Sequence, residues 1–270
     1  ICFLSFNSAV LQAANLAGNA IVFDGLDDFV RIPDAPHLDG MASLTIETWF
    51  CPLEPQGSNR IVWKSDGGDI YSHRSYEVRL PNGQGQARVE FFSGTSGWTN
   101  ISKNEVQVTA NQWIHVATTY DSINGVARLY LNGQLAASVN SQTGGDPISE
   151  AIRKSNQDLF LGASFGYYLE GGGTFAHGLF DEFRMWNYAR SESQIAQNFN
   201  RLVNPTESGL IGYWNFDESS GTQAIDSSSF HDNGIISGAL RTTSTAPIVP
   251  EPCTLVLLGF GGLLLSRRKK

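Results

Sequence analysis

The chain is short of cysteine, of methionine and of positive charge. Its 270 residues include 3 Cys and 2 Met, and 18 Lys plus Arg stand against 26 Asp plus Glu, a formal net charge of −8. Cys2 and Cys253 fall in apolar segments at the two ends, which leaves Cys51 alone in the body. A body with one thiol holds no internal disulfide, so its stability rests on its core and on any metal it binds. Cys51 closes Leu44-Thr45-Ile46-Glu47-Thr48-Trp49-Phe50-Cys51, a strand pattern that predicts packing rather than a nucleophile. The scarcity of Lys and Arg excludes a sequence-independent nucleic-acid binder, which neutralises phosphates with basic side chains. An acidic surface favours cations and neutral partners over polyanions.

Catalytic signatures are missing too. The chain has no Gly-x-x-x-x-Gly-Lys phosphate loop and no His-Glu-x-x-His pair. His37, His73, His177 and His231 show no paired spacing, and His115 sits mid-strand in Trp113-Ile114-His115-Val116-Ala117, so a zinc site has no support and His115 reads as a hydrogen-bonded sheet residue. Glycoside hydrolysis needs two carboxylates flanking one bond. In a strand such a pair shows as acids two or four residues apart. Glu47, Glu77 and Glu90 each stand alone, and strict alternation sends Asp181 and Glu182 to opposite faces.

What is present points to an all-β body. Apolar residues make up 41% of the chain and aromatics 11%, enough for a large core. Short alternating segments broken by Gly, Asn and Asp predict strands over 20–24, 28–32, 43–52, 60–64, 75–80, 87–92, 113–120, 127–131, 135–140, 158–161, 179–186 and 210–216. Asn132-Gly133 between two of them is the signal of a two-residue hairpin turn. Trp49, Trp113, Val116 and Trp186 read as core. One helix is predicted over 192–201, with Ser191 as N-cap, Gln194 completing a capping box, and Ile195 and Phe199 on one face.

The ends differ from the body. Ile1 to Ala13 (ICFLSFNSAVLQA) is apolar and closes on a small residue, as the core and cleavage site of a secretory signal do. The other end carries Val249-Pro250-Glu251-Pro252, an apolar run from Cys253 to Ser266, and Arg267-Arg268-Lys269-Lys270. Such a run ahead of a basic cluster favours a membrane-held tail with a cytoplasmic terminus. The sequence thus divides into a signal remnant (1–13), a body (14–241), a Thr/Ser/Pro-containing linker (242–248) and a tail (249–270).

Two family resemblances lie in these residues. The tail resembles the PEP-CTERM sorting signal of Gram-negative bacteria through Pro250, Glu251 and Pro252, the Leu- and Gly-rich segment, and Arg267 and Arg268. That resemblance implies export to the cell envelope or matrix, transient inner-membrane anchoring, an exosortase-type, transpeptidase-like sorting enzyme as partner, and an association with exopolysaccharide. In the body, Phe23-Asp24-Gly25-Leu26-Asp27-Asp28-Phe29-Val30, Leu44 to Phe50, Trp113 to Ala117, Leu129-Tyr130-Leu131-Asn132-Gly133 and Gly178-Leu179-Phe180-Asp181-Glu182-Phe183-Arg184-Met185-Trp186-Asn187 resemble, in order, the blocks of laminin-G-like, concanavalin-A-type jellyroll domains. Gly212-Tyr213-Trp214-Asn215-Phe216-Asp217-Glu218 resembles the opening of a further such block, and with too few residues behind it is read as closing strands of the same domain. The resemblance implies a sandwich of two antiparallel sheets and a structural Ca²⁺ between Asp24 and Asp181.

For a carbohydrate site, aromatics in loops stack on sugar faces while polar neighbours read hydroxyls. Trp98, in a Ser/Gly/Thr-rich stretch, and Tyr167 and Tyr168, in a Gly-rich one, are the candidates. The expected function is an exported, noncatalytic module that binds polysaccharide, or a cell-surface glycan or protein in adhesion. A polysaccharide hydrolase or lyase of the same fold is the first alternative, and a purely structural matrix protein the second.

Overall fold

The computed structural model describes residues 18–53, 58–65, 74–81, 83–94, 97–140, 148–165 and 173–249. Its strands are β1 (Asn19–Asp24), β2 (Phe29–Ile32), β3 (Ser43–Pro52), β4 (Ser58–Ser65), β5 (Arg74–Pro81), β6 (Gly83–Ser93), β7 (Gly97–Val108), β8 (Ile114–Asp121), β9 (Val126–Leu131) and β10 (Gln134–Asn140). They continue with β11 (Leu159–Leu161), β12 (Ala163–Phe165), β13 (Gly173–Phe175), β14 (His177–Trp186), the helix α1 (Glu192–Asn198), β15 (Leu210–Trp214), β16 (Gln223–Ala224), β17 (Gly234–Ser237) and β18 (Leu240–Thr243). The first sheet runs β10-β9-β8-β3-β14-β1-β18, with β15 also on β14, and the second runs β16-β17-β2-β11-β4-β5-β6-β7. The pairings between these strands are antiparallel, and β12 and β13 form a separate two-stranded ribbon.

Alternation explains the sandwich. Leu44, Ile46 and Phe50 of β3, Phe180, Phe183 and Met185 of β14, and Ile114, Val116 and Tyr120 of β8 join one buried cluster with Val62 of β4, Val78 of β5 and Val89 of β6. Facing residues of the two sheets thus meet in one core, the arrangement that buries one side of each sheet. The hairpin at Asn132-Gly133 forms as its turn chemistry requires, with φ of 49° and 76°. Helix α1 carries the complete Ser191–Gln194 capping box, and its buried Ile195 packs on Ala117 and Tyr130.

The chain's closing segments belong to this domain. β15 pairs with β14, β17 with β2, and β18 with β1. Residues 242–248, expected as a linker, are part of the fold. Thr242 and Thr243 lie in β18, and Ala246 and Ile248 are buried with Trp49 against Trp113, Phe199 and Leu202. Their Thr/Ser/Pro content reads as linker because the apolar residues arrive singly, each pinned by a partner remote in sequence. The signal segment and the tail with Pro250, Glu251, Pro252, Arg267 and Arg268 lie outside the described residues. Among the described residues no helix is long and apolar enough to cross a membrane.

Over β3 the outer face of the first sheet is covered, and this is why every residue of that strand is buried. Under α1 and the segments on either side of it lies a network of charges. Glu47 accepts from Arg190 at 2.5 Å and sits 3.3 Å from His115. Arg184 donates to Glu182, whose carboxylate also accepts from the Tyr213 hydroxyl. Glu182 has φ 54° and interrupts the β3–β14 register. This bulge sets two residues between the core side chains Phe180 and Phe183, so Asp181 and Glu182 share the outer face, contrary to strict alternation. Burial alone raises the Glu47 carboxyl, but His115 and Arg190 outweigh it and hold it down at about 2. A depressed carboxyl contributes stability that is present above its ordinary value of 4.5 and lost as pH falls toward 2. Glu47→Gln is therefore expected to flatten the acid limb of a pH–stability profile. Arg190→Met, which strands a buried carboxylate, is expected to lower unfolding free energy by about 3–5 kcal/mol in urea titrations.

Candidate functional site

The outer face of the second sheet carries a different pattern. Val78 opposes Val89 in the core, and this register places Glu77 opposite Glu90 and Arg79 opposite Arg88. On the other side of β5, Arg79 opposes Arg60 and Glu77 opposes Trp63. Two rows therefore cross the sheet. One is Arg60–Arg79–Arg88–Ser102 and the other is Arg31–Phe160–Trp63–Glu77–Glu90–Asn100. Like charges directly opposed on neighbouring strands are each unfavourable by several tenths of a kcal/mol, up to about 1 kcal/mol. The rows compensate along the strands and diagonally across them. Arg60 donates to both Glu77 carboxylate oxygens at 3.0 and 3.1 Å, Arg79 donates to Glu77 and lies 3.7 Å from Glu90, and Arg88 pairs with Glu90.

The glutamates form the floor and the arginines the rim. The Glu77 and Glu90 side chains are 1% and 3% exposed, whereas Arg60, Arg79 and Arg88 are 18%, 23% and 29% exposed. Burial and then the adjacent Glu77 carboxyl push Glu90 up to about 7. Beside the charges, the Arg60 guanidinium lies 5.5 Å from the centre of the buried Trp63 ring and Arg74 lies 5.6 Å from that of Phe92. Along the sheet, Phe160 packs edge-to-face on Phe29 and Phe165, and Phe165 in turn on Phe175, all four half-buried.

The calcium expectation changes its partners. Asp24 opposes His177 in the β1–β14 ladder while Ile21 opposes Phe180, so Asp24 and Asp181 lie four positions apart along the pair, about 13 Å. Asp181 is buried with Oδ2 held 2.5 Å from the Ser244 hydroxyl, and burial keeps its carboxyl well above the usual range. The two do not share a site. Asp24 instead converges with Asp27 and Asp28, each contributing one carboxylate oxygen within 4.8 Å of the others. The tight turn makes this convergence: the Asp24 amide donates to Asp28 at 2.9 Å and the Leu26 amide to Asp24 at 2.8 Å. Burial raises the Asp28 carboxyl, as do the neighbouring Asp24 and Asp27. Asp28 also lies against Gly238, where a Cβ would stand 2.0 Å from its carboxylate oxygen, and Gly238 lines an open pocket of about 390 Å³ with Thr222, Leu240 and Arg241. Three hard oxygens so placed suit Ca²⁺, which gathers 6 to 8 such ligands and draws the remainder from carbonyls and water.

Of the expected sugar contacts, Trp98 falls not in a loop but in β7, opposite Phe92. Its neighbour Gly97 pairs with Ser93 of β6. Tyr167 and Tyr168 lie outside the described residues. His115 is buried in the first sheet, and burial raises the Cys51 thiol to about 11, as expected of packing residues. The sequence reading missed the arginine row and the glutamate pair, although the mirrored triplets Glu77-Val78-Arg79 and Arg88-Val89-Glu90 carry the signal. Two strands of one hairpin with inverted charge order bring like onto like.

The model of the concanavalin A-like lectin/glucanases superfamily matches residues 23–196, from β1 into α1. The chain belongs to that superfamily. Proteins with similar folds include a Bacteroides ovatus protein assigned to carbohydrate binding, at 23% identity and a TM-score of 0.63 over 86% of this chain and 61% of that one. The chain thus spans about three-fifths of that protein's length. A heptameric SAP-like pentraxin from Limulus polyphemus aligns at 15% identity and a TM-score of 0.58, over 88% of this chain and 100% of that one. The CBM40 module of the Ruminococcus gnavus IT-sialidase, solved with α2,3-sialyllactose, aligns at 14% identity and a TM-score of 0.50, over 67% of this chain and 97% of that one. No curated protein matches the chain in sequence. At these identities the likeness concerns the superfamily fold.

A raised carboxyl contributes stability that is complete below its ordinary value, 4.5, and lost as pH rises through its folded value, about 7 for Glu90. Wild-type stability is expected to decline across that window. Glu90→Gln should remove the decline and leave the variant more stable at pH 8 by on the order of 1–3 kcal/mol, measured by urea unfolding at pH 5 and pH 8. Equal slopes for the two proteins would show that Glu90 does not titrate there.

Proposed function

We propose that this protein is an exported, noncatalytic carbohydrate-binding module that takes a polysaccharide or surface glycan on the outer face of its second sheet. The observation that carries the reading is that face itself. Half-buried Phe29, Phe160 and Phe165 lie along the sheet from a rim of partly exposed guanidinium groups. Apolar rings beside a few convergent polar groups are what a sugar site requires. The fold neighbours support it, since one is assigned to carbohydrate binding and another is a module solved with sialyllactose. Export, with sorting at Pro250-Glu251-Pro252, rests on the sequence of the two ends, as does a place in the cell envelope or matrix.

One observation favours the hydrolase alternative. Glu77 and Glu90 form the carboxyl pair whose absence from any single strand argued against catalysis. Their setting still favours binding. Both are buried beneath arginines that pair with them, whereas hydrolysis needs carboxyls ~5–9.5 Å apart with the sugar between them. Incubation with a polysaccharide the protein retains is expected to release no reducing ends. Release that Glu90→Gln abolishes would make the protein a hydrolase.

Calcium enters this reading as a structural ion on Asp24, Asp27 and Asp28, joining the β1–β2 turn to the β17–β18 turn through Asp28 and Gly238. An ion that binds the folded state alone stabilises it by mass action. Millimolar Ca²⁺ is expected to raise the melting temperature, EDTA to lower it, and Asp28→Asn to abolish the difference. A melting temperature indifferent to both additions would remove calcium from the account.

A further inference from the structure

The chain is acidic as a whole, yet its second sheet is not. On the outer face of that sheet the described residues present Arg31, Arg60, Arg74, Arg79 and Arg88 against Asp158, Glu77 and Glu90. Arg31 is matched by Asp158 at 2.9 Å. The rest is a surplus of guanidinium groups over two buried carboxylates that also oppose each other. Folding does not ask for this arrangement. Exchanging Glu77 with Arg79 would leave Val78 on Val89 in the core and set a carboxylate opposite a guanidinium at each pair, the favourable arrangement for facing strands. A local rule broken without gain to the fold points to function.

We infer that Arg60, Arg79 and Arg88 form the reading edge of the glycan site and that the glycan is acidic, a polysaccharide bearing carboxylates of the uronic-acid type. The inference rests on the binding reading given above and names the ligand's chemical class. The row has the chemistry for it. A guanidinium presents a planar fork of donors that matches a carboxylate with two parallel hydrogen bonds. Glu77 and Glu90 lie beneath the arginines and orient them, leaving the partly exposed edges of the guanidinium groups toward solvent. A ring carboxylate on that edge meets the partly exposed guanidinium groups, while the body of the sugar extends toward Phe160 and Phe29. The negative charge elsewhere on the chain then confines anions to this one face. The chain-wide balance argued against polyanions, but a local surplus of arginine is what a carboxylate meets at short range, inside the screening length of about 8–10 Å.

The test is retention of polysaccharides by the full chain at 50 mM and 500 mM salt. The polymers are a polyuronate, the same polyuronate with its carboxyls reduced to alcohols, a sulfated polysaccharide, a neutral glucan, and polyglutamate as an anion without sugar. The polyuronate is expected to bind roughly tenfold or more tighter than its reduced form and to weaken at high salt. Arg88→Gln with Glu90→Gln, which removes one charge of each sign and strands neither, is expected to lose that preference while melting as a folded protein. Equal binding of the reduced polymer or the neutral glucan, untouched by the double variant, would overturn the acidic assignment and leave the binding reading standing. Preference for the sulfated polymer would overturn the carboxylate assignment. Retention of polyglutamate as strong as that of the polyuronate would reduce the effect to charge attraction. Retention of no polysaccharide would overturn both readings, and because the reduced polymer is tested on the unaltered protein the outcome does not depend on any variant folding.

Discussion

Antiparallel register is the constraint on which the second sheet, and with it the proposed function, depends. Val78 meets Val89 because both must be buried, and a one-residue slip would turn each strand's apolar set to the wrong face. Once that contact is fixed, no freedom remains on the other side. Glu77 must face Glu90, Arg79 must face Arg88, and the next strand adds Arg60 to the row. The core therefore enforces a crowd of like charges that would separate if the register could move, and ion pairs along the strands and diagonally across them relieve it. A site held this way is preorganised: its guanidinium groups are already gathered before any ligand arrives.

The first sheet uses the same device for a different end. Its outer face also holds glutamates and arginines, but there Glu47 meets Arg190, and Glu182 meets Arg184, opposite charges in contact beneath a helix and a returning strand. The charges named are buried, and they serve to seat α1 and the 244–248 segment. The contrast between the sheets distinguishes the two roles. Matched and covered charges belong to the fold, while like charges in rows with an exposed rim belong to the site.

Much of the fold was legible in the sequence, because alternation, the Asn132-Gly133 turn and the Ser191–Gln194 box are local signals that tertiary packing reinforces. The misses share a cause. Residues 242–248 became part of the sandwich through single apolar contacts such as Ile248 with Trp49, and no local pattern announces those. Asp181 and Glu182 share a face because of a bulge with a positive φ at a glutamate, a conformation the residue type does not advertise. The glutamate pair and the arginine row escaped because each member stands alone in its own strand and the pairing exists only across strands. Asp24 and Asp181 stand four positions apart along the β1–β14 ladder, whereas the carboxylates that meet Asp24 belong to Asp27 and Asp28, three and four residues away.

The claim at the centre of the account is that the arginine row of the second sheet touches the ligand. Arginine side-chain N–H signals in a nuclear magnetic resonance titration with an oligouronate report on it residue by residue. The account predicts that the signals of Arg60, Arg79 and Arg88 shift together and saturate with one affinity, while that of Arg190, sealed under α1, stays fixed. Shifts confined to the Asp24–Asp28 turn and the pocket beside Gly238, with the arginine row unmoved, would contradict it.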